Sequence, residues 1–223
     1  MRRQEQLENE SIHHVMNKSI AGFKIFHGQT DYERMLHLLR YYSYRTLLPK
    51  FSQFLDQSGV KNVGFERHLN ELVEEKDRQV QIVAYCLMPT HIHLAIKQLR
   101  TSGISKFMSD VLNSYTRYFN TKHQRNGPLW VGKFKNVAVQ TDEQLLHLTR
   151  YIHLNPTTAK LVRKPEDWEY SSYVEYINPT TAAYPLCNYN ELIDMPPKEY
   201  TQFTEDNIKL QQELAFNQST TPK

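Results

Sequence analysis

Apolar and polar positions alternate along this chain with two different periods, and their succession predicts the elements. Ser11–Ile20 (SIHHVMNKSI) carries a rough strand pattern after a polar start. Met35, Leu38 and Leu39 then repeat at helical spacing, predicting a helix through about Tyr42 with Thr30 as its cap. The stretch 43–64 is ambiguous, since Pro49 and Gly59 argue for loop or short helix. Phe65–Asp77 reads as helix. Gln79–Met88 and His91–Gln98 are two apolar runs around Pro89-Thr90, the pattern of a hairpin. A helix at about Ser102–Lys122 follows, its buried stripe including Ile104, Phe107, Val111, Tyr115 and Phe119, and Gly127-Pro128 closes that element. Lys133–Gln140 reads as a strand, and Asp142 as the cap of a helix that Pro156 stops near Leu154. The order is strand, helix, two strands, helix, strand, helix. It predicts an α+β fold, a ferredoxin-like antiparallel sheet with helices on one face. Beyond Asn178 the chain turns polar and proline-rich, with a final helix expected near Lys198–Phe216. The expected division is a flexible N-terminus over 1–11, one main domain over 12–177, and a partly helical extension over 178–223.

Composition sets outer bounds. A chain of 223 residues with 39% hydrophobic and 23% charged positions suits a globular domain. No apolar run approaches the roughly 20 residues of a membrane span, and the N-terminus lacks the apolar core of a secretory signal. Two cysteines, Cys86 and Cys187, make no disulfide framework, so the expectation is a cytoplasmic protein with no membrane partner. Net charge is only +3, but its distribution is uneven. From Leu99 to Thr141 seven basic residues, among them Arg117, Lys133 and Lys135, face one acid, Asp110, with aromatics interleaved. Such a segment either meets phosphates and unpaired bases or is a solvated face over a core.

Chemistry enters at two places. His91 and His93 share one face of a strand about 6–7 Å apart, where two imidazoles can converge on one ion or remain a hydrogen-bonded pair. On the helix after Asp142, Gln144, His147, Tyr151 and Asn155 form a polar stripe at about 100° per residue, beside an apolar stripe of Leu145, Leu148 and Ile152. His153 falls nearly opposite Tyr151 on that helix and is set outside the site. Tyr115, the other tyrosine considered as a nucleophile, lies in an apolar stripe and reads as packing.

YCLMPTHIHLAI (85–96), ISKFMSDVLNSYTRYFN (104–120), GPLWVGKFKNV (127–137) and LTRYIHLNPTTAKLV (148–162) together resemble the IS200-like Y1 transposases, and more closely their REP-associated branch. The resemblance spans about residues 12–175. It implies an HUH-endonuclease-like fold whose His-hydrophobic-His motif is matched by His91, Ile92 and His93. It further implies Tyr151 as the nucleophile and Asn155 as the third metal ligand, where other members carry glutamine. Thr90 departs from the asparagine frequent before the first histidine. The implied activity is nicking and joining of single-stranded or hairpin DNA through a 5′-phosphotyrosine, with Mg²⁺ or Mn²⁺; ligand type alone would also admit Zn²⁺. No nucleotide cofactor is expected, because no Walker-type loop occurs. His147, Lys133, Lys135 and Arg117 are candidates for phosphate contacts or for tuning the phenol. A monomer or homodimer, nucleoid-associated when on DNA, is expected. Two alternatives stay open: a DNA-binding protein without catalysis, and a metal-dependent phosphohydrolase on the same fold.

Overall fold

A computed structural model describes residues 7–45 and 48–220, with side chains to 215. The expected flexible N-terminus lies in part at 1–6, outside the described residues. Four strands form one antiparallel sheet: β1 (Ile12–Lys18), β2 (Val80–Met88), β3 (His91–Gln98) and β4 (Lys135–Val139), in spatial order β2-β3-β1-β4. With α1 (Gln29–Tyr42) between β1 and β2, and α5 (Gly103–Lys122) between β3 and β4, the connectivity is ferredoxin-like, as the sequence pattern predicts.

The two faces of the sheet carry different cores. Val15, Leu87, Ile92, Leu94 and Ile96 pack with Leu38 and Leu39 of α1 and Phe107 and Val111 of α5. This is the helical layer expected from the sequence. The opposite face is covered too. Ala84, Cys86, Met88 and Ala95 pack against Leu145 and Ile152 of α6 (Asp142–Thr158), and against Tyr173, Tyr176 and Tyr200. A register shift between Ile82 and Ala84 moves the later β2 residues onto this second face. His91, His93 and Ala95 alternate with Ile92, Leu94 and Ile96, so the imidazoles share the face that α6 covers.

Local chemistry corrects several boundaries. Gly28, not Thr30, precedes α1, and the Asp31 carboxylate accepts the His27 N–H at 2.8 Å. The 43–64 stretch holds α2 (Phe51–Leu55) and α3 (Ser58–Val63), while residues 46–47 lie outside the described ones. Predicted helix 65–77 shortens to α4 (Phe65–Leu72). The cap of α6 is Thr141, whose hydroxyl accepts from Gln144 N–H at 3.1 Å. Helix α5 ends at Lys122, as the pattern predicts. Pro156 does not stop α6, which continues to Thr158. The reason lies in Asn155: its amide donates to the carbonyls of Tyr151 at 2.8 Å and Ile152 at 3.4 Å, the latter being the group a backbone N–H at 156 would have served.

Helix α7 (Tyr173–Ile177) precedes the extension, which holds α8 (Pro197–Glu205) and α9 (Ile208–Thr220) where the pattern predicts one final helix. Gln211 donates to Tyr151 O and Thr158 Oγ1, and Gln212 to Thr157 O, so α9 lies along the C-terminal half of α6. His153 is fully buried between α6, α7 and α8, its nitrogens 2.7 Å from Tyr200 Oη and 2.7 Å from Ser172 Oγ. Among the described residues no helix is long and apolar enough to cross a membrane.

Burial pushes the His153 imidazole down to about 3. The unfolded chain therefore takes up a proton near pH 6.5 that the folded chain refuses, and stability falls as pH drops below that value. His153→Gln, which keeps both hydrogen-bonding positions, is expected to remove about 1.4 kcal/mol of this loss per pH unit between 6.5 and 4.5. Urea unfolding of both proteins across that range measures the difference.

Candidate active site

β3 and α6 face each other across the second core because small residues let them approach. Ala84 and Ala95 are fully buried beneath Leu145 and Ile152, which hold the apolar stripe of the helix to the sheet. The neighbouring stripe of α6 is thereby turned to the end of the sheet where the imidazoles emerge. Tyr151 is 40% exposed. Its ring lies edge-on to His93 at 5.7 Å between centroids and to His14 at 5.8 Å. His91 and His93 are 5.0 Å apart, nearly perpendicular.

The nitrogens of the pair are held from outside. Thr90 Oγ1 lies 3.0 Å from His91 Nδ1, and His14 Nε2 lies 3.0 Å from His93 Nδ1. With Nδ1 protonated and donating in both rings, each Nε2 keeps a lone pair for an electrophile. Thr90, the departure from the family pattern, thus supplies an oxygen at the place where it orients the first imidazole. Asn155 is 9% exposed and spends its amide nitrogen on the two helix carbonyls, leaving Oδ1 as an acceptor one turn beyond Tyr151.

Every titratable group here is biased toward neutrality. Burial lowers His91, with the Lys18 ammonium adding to it. His93 is held well below the ordinary histidine range by burial, then by His91 and His14, and burial takes His14 down to about 4. Neutral imidazoles are the form that binds a cation. Burial raises Tyr151, so its phenol needs a positive neighbour to ionise. Two imidazole nitrogens and one amide oxygen suit a hard-to-borderline divalent ion and put no negative charge on it. Among the described residues no three His, Cys, Asp or Glu side chains gather into a metal cluster, and this donor set contains only two such residues, both histidines.

The other candidates lie elsewhere. His147 Nδ1 accepts from Arg150 at 2.8 Å and its ring rests against Phe203, one turn before Tyr151. Lys133, Lys135 and Arg117 are exposed, Lys135 on the edge strand β4 and Arg117 on α5. Tyr115 is fully buried and donates to Ile25 O. The aromatics of the basic segment serve the core: Phe107, Phe119, Trp130 and Phe134 are all buried, and Trp130 Nε1 donates to Thr116 Oγ1 at 3.1 Å. His14 was missed by sequence reasoning. The available signal was register, since alternation from Val15, a core residue, puts His14 on the other face of β1, and β1 pairs with β3.

Residues 55–155 match the family model described as "Transposase IS200 like", a span that includes His91, His93, Tyr151 and Asn155 but not His14. A curated relative from Haemophilus influenzae, described as "Putative REP-associated tyrosine transposase", is 28% identical over 103 residues. That alignment covers 42% of this chain and 58% of the relative, so the chain spans a little over half of the curated relative's length. The solved "Structure of the REP associates tyrosine transposase bound to a REP hairpin" superposes with a TM-score of 0.52 at 13% identity, covering 87% of this chain and 94% of that one. At that identity the structural match speaks for the fold, and it agrees with the α+β sheet described above. The family resemblance legible in the motifs is thus met by a family model, a relative and a fold.

The dual use of Asn155 gives a stability test. Asn155→Asp keeps an acceptor but loses the donor to the buried Ile152 carbonyl, which Pro156 cannot serve, and is expected to destabilise the chain by about 1–3 kcal/mol in urea unfolding. Tyr151→Phe, which alters a partly exposed ring, is expected to change stability by less than about 0.5 kcal/mol.

Proposed function

We propose, from the premise that this chain is akin to the IS200-like transposases, that it nicks and rejoins single-stranded DNA with Tyr151 as nucleophile. What supports the reading is the Tyr151 ring, 5.7 Å from His93, with Asn155 one helical turn further on and its amide nitrogen, not its oxygen, spent on helix carbonyls.

In this reading Tyr151 Oη, having lost its proton to solvent, attacks phosphorus in line with the 3′-oxygen. The new O–P bond forms as the P–O3′ bond breaks, and the departing 3′-oxygen takes a proton from water. The products are a 5′-phosphotyrosine and a free 3′-hydroxyl. Attack by another 3′-hydroxyl reverses the step and rejoins the strand, with the bond energy conserved in the covalent link. His91, His93 and Asn155 would hold a divalent cation, Mg²⁺ or Mn²⁺, which when bound neutralises phosphate charge and eases ionisation of a phenol. The chain's own residues perform the positioning. Thr90 and His14 fix the two imidazoles, and the apolar stripe of α6 fixes where the phenol stands. Burial raises the phenol further above its ordinary range, so its ionisation depends on positive charge brought to the site. Hairpin DNA of the REP kind is the proposed substrate, by analogy with the relative and the solved structure. His147 and the exposed Lys133, Lys135 and Arg117 are proposed phosphate contacts on the approach to the site.

The test uses labelled single-stranded hairpin oligonucleotides with Mn²⁺ and a denaturing gel. A covalent protein–DNA adduct is expected in the wild type and none in Tyr151→Phe. Cleavage without an adduct would point to the hydrolase alternative, and binding without cleavage to a non-catalytic binder; either result overturns the reading. His14→Ala is expected to weaken Mn²⁺ binding by about tenfold or more, because the His93 ring loses its orienting partner. Electron paramagnetic resonance of free Mn²⁺ measures this without reference to turnover.

A further inference from the structure

Three chain segments meet at the turn that presents His91. The Ser19 N–H donates to Thr90 O at 2.9 Å, and the Ile25 N–H to Pro89 O at 2.8 Å, stitching the 19–25 loop to the hairpin turn. The Ile20 N–H donates to Leu129 O at 3.0 Å and the Val131 N–H to Lys18 O at 3.0 Å, bringing in the 129–133 segment. The loop is tightly shaped, with Ala21 at φ 49° and Gly22 at φ 68°, and Ser19 Oγ donates to Phe23 O at 2.6 Å.

What this frame presents is unusual for a surface. Phe23 is 50% exposed and Val131 58% exposed, although both are backbone-anchored. The Arg125 guanidinium stands 5.7 Å from the Phe23 ring centroid, and is itself held by Asn120 Oδ1 at 2.8 Å and Pro128 O at 3.2 Å. Lys18 and Lys24, both exposed, belong to the same stretch of chain as Phe23, and exposed Lys133 lies on the segment bonded to it. Carboxylates are missing from the sequence here: none occurs between Glu10 and Asp31, and only Asp110 between Asp77 and Asp142. A half-open aromatic on a backbone-anchored loop, beside a guanidinium and in a basic stretch poor in carboxylates, is what a single strand needs, with a flat face for one base and cations for the adjoining phosphates. A duplex would offer the ring no base face.

We propose that Phe23 stacks on one unpaired base of the DNA strand that crosses the active site, with Lys18, Lys24 and Arg125 engaging the phosphates beside it. The ring, not the buried aromatics of 99–141, is the stacking platform. This rests on the reading of the chain as a single-strand enzyme and names how it would hold that strand. Because the loop that carries the ring is bonded to the turn that leads into His91, the stacked base is a determinant of which phosphate reaches Tyr151.

The test measures binding alone, by fluorescence anisotropy in metal-free buffer on a Tyr151→Phe background, so no catalysis is required. The probe is a single-stranded hairpin oligonucleotide with unpaired flanks, and a set in which each flanking nucleotide in turn is abasic. Phe23→Ala is expected to weaken binding about tenfold, and Phe23→Trp to restore it, which separates stacking from misfolding. One abasic position is expected to cost the parent protein a similar factor while costing Phe23→Ala nothing more. The slope of log affinity against log salt is expected to stay unchanged in Phe23→Ala and to fall by about one in Lys24→Ala. Absence of binding by the parent, Phe23→Ala within twofold of it, or losses that multiply at every abasic position overturn the proposal. Failure of the nicking reading would show instead as a missing adduct with these binding results intact.

Discussion

The seating of α6 on the sheet is the constraint from which the site follows. A helix carrying Tyr151 and Asn155 reaches the imidazole face only because Ala84 and Ala95 leave room there for Leu145 and Ile152. A larger side chain at either alanine would lift the helix and move the phenol with it. Around this contact the extension adds Ile193 and Tyr200 to the second core, and polar ties as well: His153 binds α6 to Tyr200 of α8, and the glutamines of α9 grip the carbonyls of its last turns. The part of the chain that carries the nucleophile is thus held from below by apolar packing and from the side by polar contacts.

Asn155 joins fold and chemistry in one side chain. Its nitrogen repairs the gap that Pro156 leaves in the helix ladder, and the repair fixes the direction of its oxygen. A residue spent on structure in this way is poised without further cost in side-chain entropy, since its rotamer is already fixed. The two imidazoles follow the same logic, each turned by one outward hydrogen bond, to Thr90 and to His14.

Much of the architecture could be read from periodicity. The alternation through 79–98 and the stripe through 102–122 produced β2, β3 and α5 within a residue or two, and the element order sufficed for the ferredoxin-like connectivity. The i, i+4 spacing of Tyr151 and Asn155 put both on one face of α6, and strand alternation put His91 and His93 on one face of β3. What escaped depends on tertiary context. The helix continues through Pro156 because a side chain replaces a missing N–H, which no propensity encodes. The second helical layer belongs to an apolar stripe whose partner face becomes visible only once the β2 register shift is known. His14 and Phe23 sit in a short strand and a loop, where function comes from what the neighbouring segment brings: β3 for the first, the Pro89-Thr90 turn for the second. The interleaved aromatics of 99–141 drew attention by composition, and burial assigns them to the core.

The central claim is that the imidazoles of β3 and the amide of α6 address one cation beside the tyrosine. Anomalous diffraction from crystals of the full chain soaked in Mn²⁺ tests it most directly. The account predicts one peak within coordination distance of Nε2 of His91 and His93 and of Oδ1 of Asn155. A peak bound through Nδ1 of either ring, or an ion held away from Asn155, would contradict it.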